Sequence, residues 1–570
     1  MVTDRVPTPP PLHDLPTAKE KRYDRQLRLW GASGQVALEE AHILLVNNGS
    51  GVTGIEALKN LILPGVGEFS ILDSSTVSEE DLGVNFFLED ESLGKFRAEE
   101  TVRLLGELNP DVKGHAITEP LESFIQNEAH LKPFSLLLVA APLDYASLRK
   151  IRDLALASNT PLFYTHCIGF FSHFSIQLPP AFPVVDTHPD PTATQDLRLL
   201  KPWPELQDFA KRMTERLETM AQHDLGHVPY VCLLLYHIEK FRIQHGKLPE
   251  SSTDKTAVRD IIRAEGKDEE NFEEAYAAVL KSLNPPTIPS AVRDVLSAPE
   301  TQSITSSSSS FWLIAKAVQQ FVTKHSVLPL PGAVPDMKAR SNDYIALQQI
   351  YKSKARADCA EVTASVRSLE KSTNRSPKLE IPANEIENFC KNAAHIHLVR
   401  GHPLQLITPG EKPSFGTRAK ALRSDLTNPE SLIGLYLAFL AFDDFTATHT
   451  PPVPAHPSSP TGVPVPGASD STLEADTAKL TATAHTYLDA LINESGNRLE
   501  DPEYSDLKVE IGKYCTEIAR AGGAELHNVA SLTGGLVSQE IIKVVTGQYV
   551  GVDNVCLVEG VASSMGTLKV

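Results

Sequence analysis

Four residues between positions 49 and 73 have the types and spacing to hold a nucleotide. Gly49, Gly51 and Gly54 make a G-x-G-x-x-G run, and Asp73 follows about 20 residues on. Glycines there allow a tight turn and close approach of backbone to a phosphate, and amides at a helix N-terminus attract its charge. An acid after the next strand is placed to accept from ribose hydroxyls. Six cysteines (Cys167, Cys232, Cys359, Cys390, Cys515, Cys556) show no C-x-x-C and no close pair, which excludes a disulfide framework and a cysteine zinc site. Cys232 lies in the apolar run 230–235, where a buried, inert thiol is expected rather than a low-pKa nucleophile. His395 and His397 offer two imidazoles but no third ligand at recognisable spacing.

Positioning the glycines takes a βαβ unit, and the flanking pattern supplies one. An apolar strand covers Ile43 to Val46, a helix Ile55 to Leu61 and a second strand Phe69 to Leu72. The alternation continues with a helix from Lys95 to Leu108 and strands at Val112–Ile117, Ser135–Ala140 and Pro161–Cys167. Short, continuously apolar runs of this kind belong to strands buried on both faces, so the expected class is α/β with a Rossmann-like, doubly wound sheet. Tyr23–Gly31 reads as an amphipathic turn or two, with Leu27 and Trp30 inward and the arginines in solvent. Helical periodicity then dominates residues 179–508, the expected mainly α-helical insertion. Residues 509–570 return to α/β character, with a helix from Val529 closed by Gly547 and a strand at Val555. Residues 21–178 and 509–570 are therefore expected to form one discontinuous domain.

Low-complexity stretches punctuate this plan. Residues 1–20 hold five prolines and are expected to be a disordered leader. Residues 446–471 hold seven prolines and read as a flexible loop, and Ser306–Ser310 leads into a helix that its last serine is expected to cap. The 53 basic against 72 acidic residues give a net charge of −19, which argues against a nucleic-acid partner. No apolar run reaches the ~18 residues of a membrane span, so no membrane partner is expected and a cytoplasmic or nuclear location fits.

Longer motifs carry a family resemblance. Tyr23-Asp24-Arg25-Gln26-Leu27-Arg28-Leu29-Trp30-Gly31, residues 59–67, Asn85-Phe86-Phe87-Leu88 and Leu93-Gly94-Lys95-Phe96-Arg97 resemble the ubiquitin-like-modifier-activating enzymes. Residues 188–206 and Gly534-Gly535-Leu536-Val537-Ser538-Gln539-Glu540 look most like that family's catalytically incomplete regulatory subunits in neddylation. The resemblance implies an adenylation-type domain in a heterodimer. Its catalytic subunit holds ATP, magnesium and the cysteine, adenylates a Nedd/Rub-type ubiquitin-like protein and passes it as a thioester to a conjugating enzyme.

Active members carry a second acid two positions after Asp73 and an arginine that meets the ATP phosphates; here Ser75 and Val84 stand there, and Arg97 replaces the family's usual lysine, keeping the charge but not the geometry. A hydroxyl does not replace a carboxylate on Mg²⁺, and adenylyl transfer depends on placed positive charge. The chain alone is thus expected to bind no cofactor or metal, with Gly49, Gly51, Gly54 and Asp73 vestigial. Arg25 matches the arginine that reaches in trans to the partner's ATP. The small subunit of the SUMO-activating enzyme is a shorter alternative. A nicotinamide-dependent oxidoreductase would explain the glycines and Asp73, and a pure scaffold would differ only in the role of Arg25.

Overall fold

The computed structural model describes residues 17–49, 51–190, 196–266, 269–409, 411, 413–448, 464–496 and 501–570. Its strands are β1 (His42–Asn47), β2 (Glu68–Leu72), β3 (Lys113–Ile117), β4 (Leu136–Ala140), β5 (Leu162–Ile168), β6 (Phe171–Gln177), β7 (Phe182–Val185), β8 (Ile396–Val399), β9 (Val555–Glu559) and β10 (Ser564–Leu568). Eight of them build one sheet in the order β10-β9-β6-β5-β4-β1-β2-β3, while β7 pairs with β8. The half from β3 to β5 is parallel, and the half from β5 to β10 is antiparallel. Every residue of β1 after His42 and every residue of β4 is buried, as strands covered on both faces must be. The expected α/β class therefore holds.

The returning helix His527–Thr546 lies along the glycine-loop helix Val52–Ile62. They come close at Gly534, where a Cβ would fall 2.7 Å from that of Glu56. Gly547 ends the returning helix in the left-handed conformation.

Several expected boundaries move. Two compact units emerge, one of residues 1–182 with 399–570 and the other of 183–398. The helical stretch read as running to residue 508 thus divides at 398. Helices Ile433–Thr448, Leu473–Ser495 and Asp501–Ala521 belong to the sheet unit, packing Phe439, Leu488 and Ile518 with Phe171, Val555 and Leu557 of the strands. Helical periodicity reveals an apolar face but not the surface that covers it. In the 183–398 unit, the helix Tyr230–His245 runs through a core closed by Trp203 edge-on to Tyr351.

The end of the stretch 1–20, expected to be a disordered leader, is helical. Thr17 and Glu20 form a reciprocal capping box on the helix Ala18–Arg22, and residues 1–16 lie outside the described residues. Of the proline-rich loop at 446–471, Thr446–Thr448 extend a helix and Val465 is buried, while 449–463 lie outside the described residues. The serine lead-in ends one residue earlier than expected. Ser309 occupies the cap position without a side-chain hydrogen bond, and Ser310 is already helical.

One buried cluster ties the stability of the sheet unit to pH. His166 and His173 are cross-strand partners on β5 and β6, with ring centroids 4.7 Å from Phe442 and 4.5 Å from Phe439 respectively. Burial disfavours the charged ring, pushing His173 down to about 3 and His166 well below its ordinary value. Between about pH 3 and 6.5 the unfolded chain therefore binds a proton that folded His173 refuses. The stability this residue supplies is whole above pH 6.5 and drains away as the pH falls. Asp443, which accepts from Tyr164 at 3.1 Å and is pushed up to about 7 by burial, acts in the opposite sense. His173→Phe isolates the histidine. On going from pH 7 to pH 5 the natural chain should lose about 2 kcal/mol more than the variant, from 1.4 kcal/mol per pH unit. Urea midpoints of both proteins at the two pH values check this, and parallel losses would refute it.

Candidate functional site

The glycine loop joins β1 to the helix Val52–Ile62 and turns at Gly51, whose φ is +64°. A Cβ there would fall 1.9 Å from Asn47 Oδ1, so only glycine fits. The turn leaves the amides of Val52 and Thr53 at the helix start facing outward, the geometry that receives a phosphate. Here both donate to the Glu525 carboxylate, at 2.8 and 3.1 Å, and the Thr53 hydroxyl adds a third bond at 2.6 Å. Glu525 is held there because its segment pairs with the turn after β5, with Gly169 N donating to Ala524 O at 2.8 Å. The helix dipole and three charge-assisted bonds favour this carboxylate by about 1–2 kcal/mol over an uncapped start. The chain thus carries its own anion in the phosphate seat.

The rest of the seat is apolar. Val52, Cys167, Val529 and Ala530 cluster there, with Val84 and Leu526 packed against them. Val84 sits at the end of the short helix Glu79–Val84, and its carbonyl is 3.2 Å from His527 Nδ1. The residue expected to replace a phosphate-facing arginine is therefore part of an oily lid.

Asp73, at the end of β2, does not stand open to a ribose. Asn47 Nδ2 donates to it at 2.8 Å, Ser75 N at 2.9 Å and Arg97 Nε at 2.7 Å. Arg97 also donates to Asp81 at 2.8 Å, and its side chain is only 1% exposed. Burial opposes its charge, but the two carboxylates outweigh that cost and raise its pKa above the ordinary value. The resemblance put Arg97 in the place of the family's usual lysine, with its charge intact. The structure spends it inside a buried Asp–Arg–Asp triad. Ser75 contributes its carbonyl to Arg97 N at 2.9 Å and its amide to Asp73.

A cleft of about 560 Å³ remains beside the loop, lined by Asn47, Asn48, Asp73, Ser75, Ser78, Glu119 and Glu122 among others. Its lining has the carboxylates of Glu119 and Glu122, together with an Asp73 already paired to Arg97, and no lysine or arginine, so it offers a triphosphate no cation.

Arg25 is set quite differently. The helix Asp24–Glu39 bends at Gly31 (φ +66°) and is pinned by residues on either side of Arg25. Tyr23 is buried, its hydroxyl accepting from Asn109 Nδ2 at 3.0 Å, and Trp30 donates to Gln35 Oε1 at 3.0 Å. Arg22 pairs with Asp111 at 3.1 Å and Arg28 with Asp24 at 2.9 Å. Arg25 is exposed and makes no ion pair or side-chain hydrogen bond among the described residues. Leu29, one helical turn on from Arg25, is about half exposed. Val36 farther along the same helix, Leu532 on the returning helix that packs against it and Val550 just beyond are also about half exposed.

The thiols divide as expected from sequence, with one addition. Cys232 is fully buried and its pKa is raised by desolvation. Five of the six are buried; Cys359, half-buried in the other unit, is lowered to about 7, chiefly by a hydrogen bond from Cys390. Glu525 and Asp81, the two acids that close the site, were not singled out from sequence. Among the described residues no helix is long and apolar enough to cross a membrane.

Residues 23–562 match the model of the ThiF family. The chain is 35% identical to the NEDD8-activating enzyme E1 regulatory subunit of Xenopus laevis, with 97% of this chain and 98% of that one aligned. The protein of the same name from Gallus gallus is also 35% identical, over the same shares. The NEDD8-activating enzyme E1 regulatory subunit AXR1 of Arabidopsis thaliana is 33% identical over 98% of each chain.

Proposed function

The chain belongs to the ThiF family and, within it, to the NEDD8-activating enzyme E1 regulatory subunits, and from that premise we propose that it works as the non-catalytic half of a heterodimer. Its catalytic partner holds ATP and magnesium, adenylates a NEDD8-type ubiquitin-like protein and carries the cysteine that hands it to a conjugating enzyme. This chain steadies the partner and offers Arg25 to the partner's ATP. The observation that carries the proposal is Glu525 bonded to the amides of Val52 and Thr53, the one place in the βαβ unit built to take a phosphate. The acid-lined cleft and the buried Arg97 remove the other means of holding a triphosphate. The occupied seat and the bonded Asp73 also weigh against a nicotinamide-dependent oxidoreductase, since a dinucleotide needs the same phosphate seat and a free Asp73. The alignment over nearly the full length of the relatives weighs against the shorter SUMO-type subunit. An exposed Arg25 that makes no ion pair among the described residues, with apolar Leu29 exposed one helical turn on, suits a protein interface that delivers one cation into a neighbour's site.

Pyrophosphate exchange tests this reading. The purified chain with ATP, magnesium and the modifier should give no exchange above background, and adding the catalytic partner should restore it. Exchange by the chain alone would overturn the assignment.

A further inference from the structure

At the end of the sheet opposite the glycine loop, three side chains with ligand chemistry converge. His42 and Glu68 are paired first residues of β1 and β2, and His115 on β3 pairs with Ser70 of β2. Paired residues in parallel strands, and residues two apart along a strand, share a face. His42, Glu68, Ser70 and His115 therefore all project to one side. Glu68 Oε2 is 3.0 Å from His115 Nε2 and 3.9 Å from His42 Nδ1, and the three ligand atoms lie within 4.8 Å of one another. Tetrahedral zinc, with bonds of about 2.0–2.1 Å, spaces its ligands by about 3.3 Å, so small side-chain rotations bring these atoms onto one ion. Among the described residues no other group of three or more such side chains meets so closely.

Two further contacts have the form that metal sites use. The other nitrogen of His42, Nε2, lies 2.8 Å from Ser70 Oγ. With Nε2–H donating to that hydroxyl, the Nδ1 lone pair is turned toward Glu68. The ring itself is held edge-on against Phe134, centroids 4.6 Å apart. Lys113 is the resident competitor, 3.3 Å from Glu68, but it bonds the other oxygen, Oε1. Its side chain is 73% exposed, and an exposed ion pair of that kind is worth about 1 kcal/mol or less, too little to exclude a dication.

We propose that His42, Glu68 and His115 bind one transition-metal dication of the zinc class, with water at the fourth position. Two imidazoles and one carboxylate are the donor set that borderline ions such as zinc and cobalt favour over magnesium or calcium. The ion would bridge three neighbouring strands and fasten β3, which has only β2 beside it, to the sheet. It lies at the end of the strands away from the loop that Glu525 closes, and it requires nothing of the partner subunit.

Cobalt(II) chloride titrated into the full chain tests the site by spectrum, and zinc chloride tests it by melting temperature. The controls are His115→Ala, on an exposed strand position, and the near-isosteric Glu68→Gln. The natural chain should take up one cobalt ion with visible absorption of tetrahedral intensity, and zinc should raise its melting temperature by a few degrees. Each variant should bind at least tenfold more weakly and lose the absorption. Equal uptake by the natural chain and both variants would place the metal on other histidines and overturn the proposal. Absence of tetrahedral absorption at millimolar cobalt would overturn it equally.

Discussion

Arg25→Ala, introduced into the assembled heterodimer, is expected to slow modifier adenylation about 10²- to 10³-fold while leaving the two subunits associated. A guanidinium supplied in trans stabilises charge that builds up only in the transition state, and loss of one such donor costs about 3–4 kcal/mol of barrier. The geometry explains why the loss should be clean. Tyr23 and Trp30 anchor the helix on either side, and Arg25 makes no ion pair or side-chain hydrogen bond within the described residues, so its removal uncovers nothing. Lysine at this position keeps the charge but not the forked contact with two oxygens, and should recover only part of the rate. Pyrophosphate exchange, with size-exclusion chromatography to confirm the dimer, measures both halves of the claim. A rate equal to that of the natural heterodimer would make Arg25 an ordinary solvated side chain, and the chain a pure scaffold.

Arg97→Met should have the largest effect on stability, lowering it by about 3–5 kcal/mol. The substitution keeps most of the side-chain volume but strands Asp73 and Asp81 as buried carboxylates without their counter-ion, the arrangement that makes breaking a buried ion pair so costly. Denaturant midpoints of the sheet unit would register the change. Adding Asp73→Asn and Asp81→Asn to the same chain removes the stranded charges and should return most of the loss. A single-variant loss below about 1 kcal/mol would mean that water from the acid-lined cleft solvates the two acids, contrary to the burial described.

The two predictions bear on what was readable beforehand. The glycine spacing, the acid after β2 and the apolar runs of β1 and β4 are local signals, and the strands they mark are the ones that form. The resemblance placed Arg25 by motif, and Tyr23 and Trp30 of that same motif are the residues that anchor its helix. What could not be read is what lies opposite. Arg97 was read as a surviving charge in place of a lysine because charge is visible in a sequence and its partners are not; Asp81 meets it from the short helix Glu79–Val84, whose placement no periodicity fixes. Glu525 reaches Val52 across more than 470 residues, a contact that only the closed sheet brings about. The helices beyond residue 432 were assigned to the insertion for the same reason, since an apolar stripe looks alike whichever layer buries it.

Glu525 also changes how competition at the old phosphate seat should be pictured. A ligand tethered to its site is present at an effective concentration that is millimolar even for a short flexible linker, and higher when a fold aims it. Free nucleotide would have to displace a resident that is never diluted, at a seat that offers it no cation. The loop has thereby exchanged an exchangeable guest for a permanent clasp, closing the early βαβ unit onto the last fifty residues of the chain. In such a molecule the glycines are kept for closure, and a truncation before residue 525 would open a joint at the opposite end of the sequence.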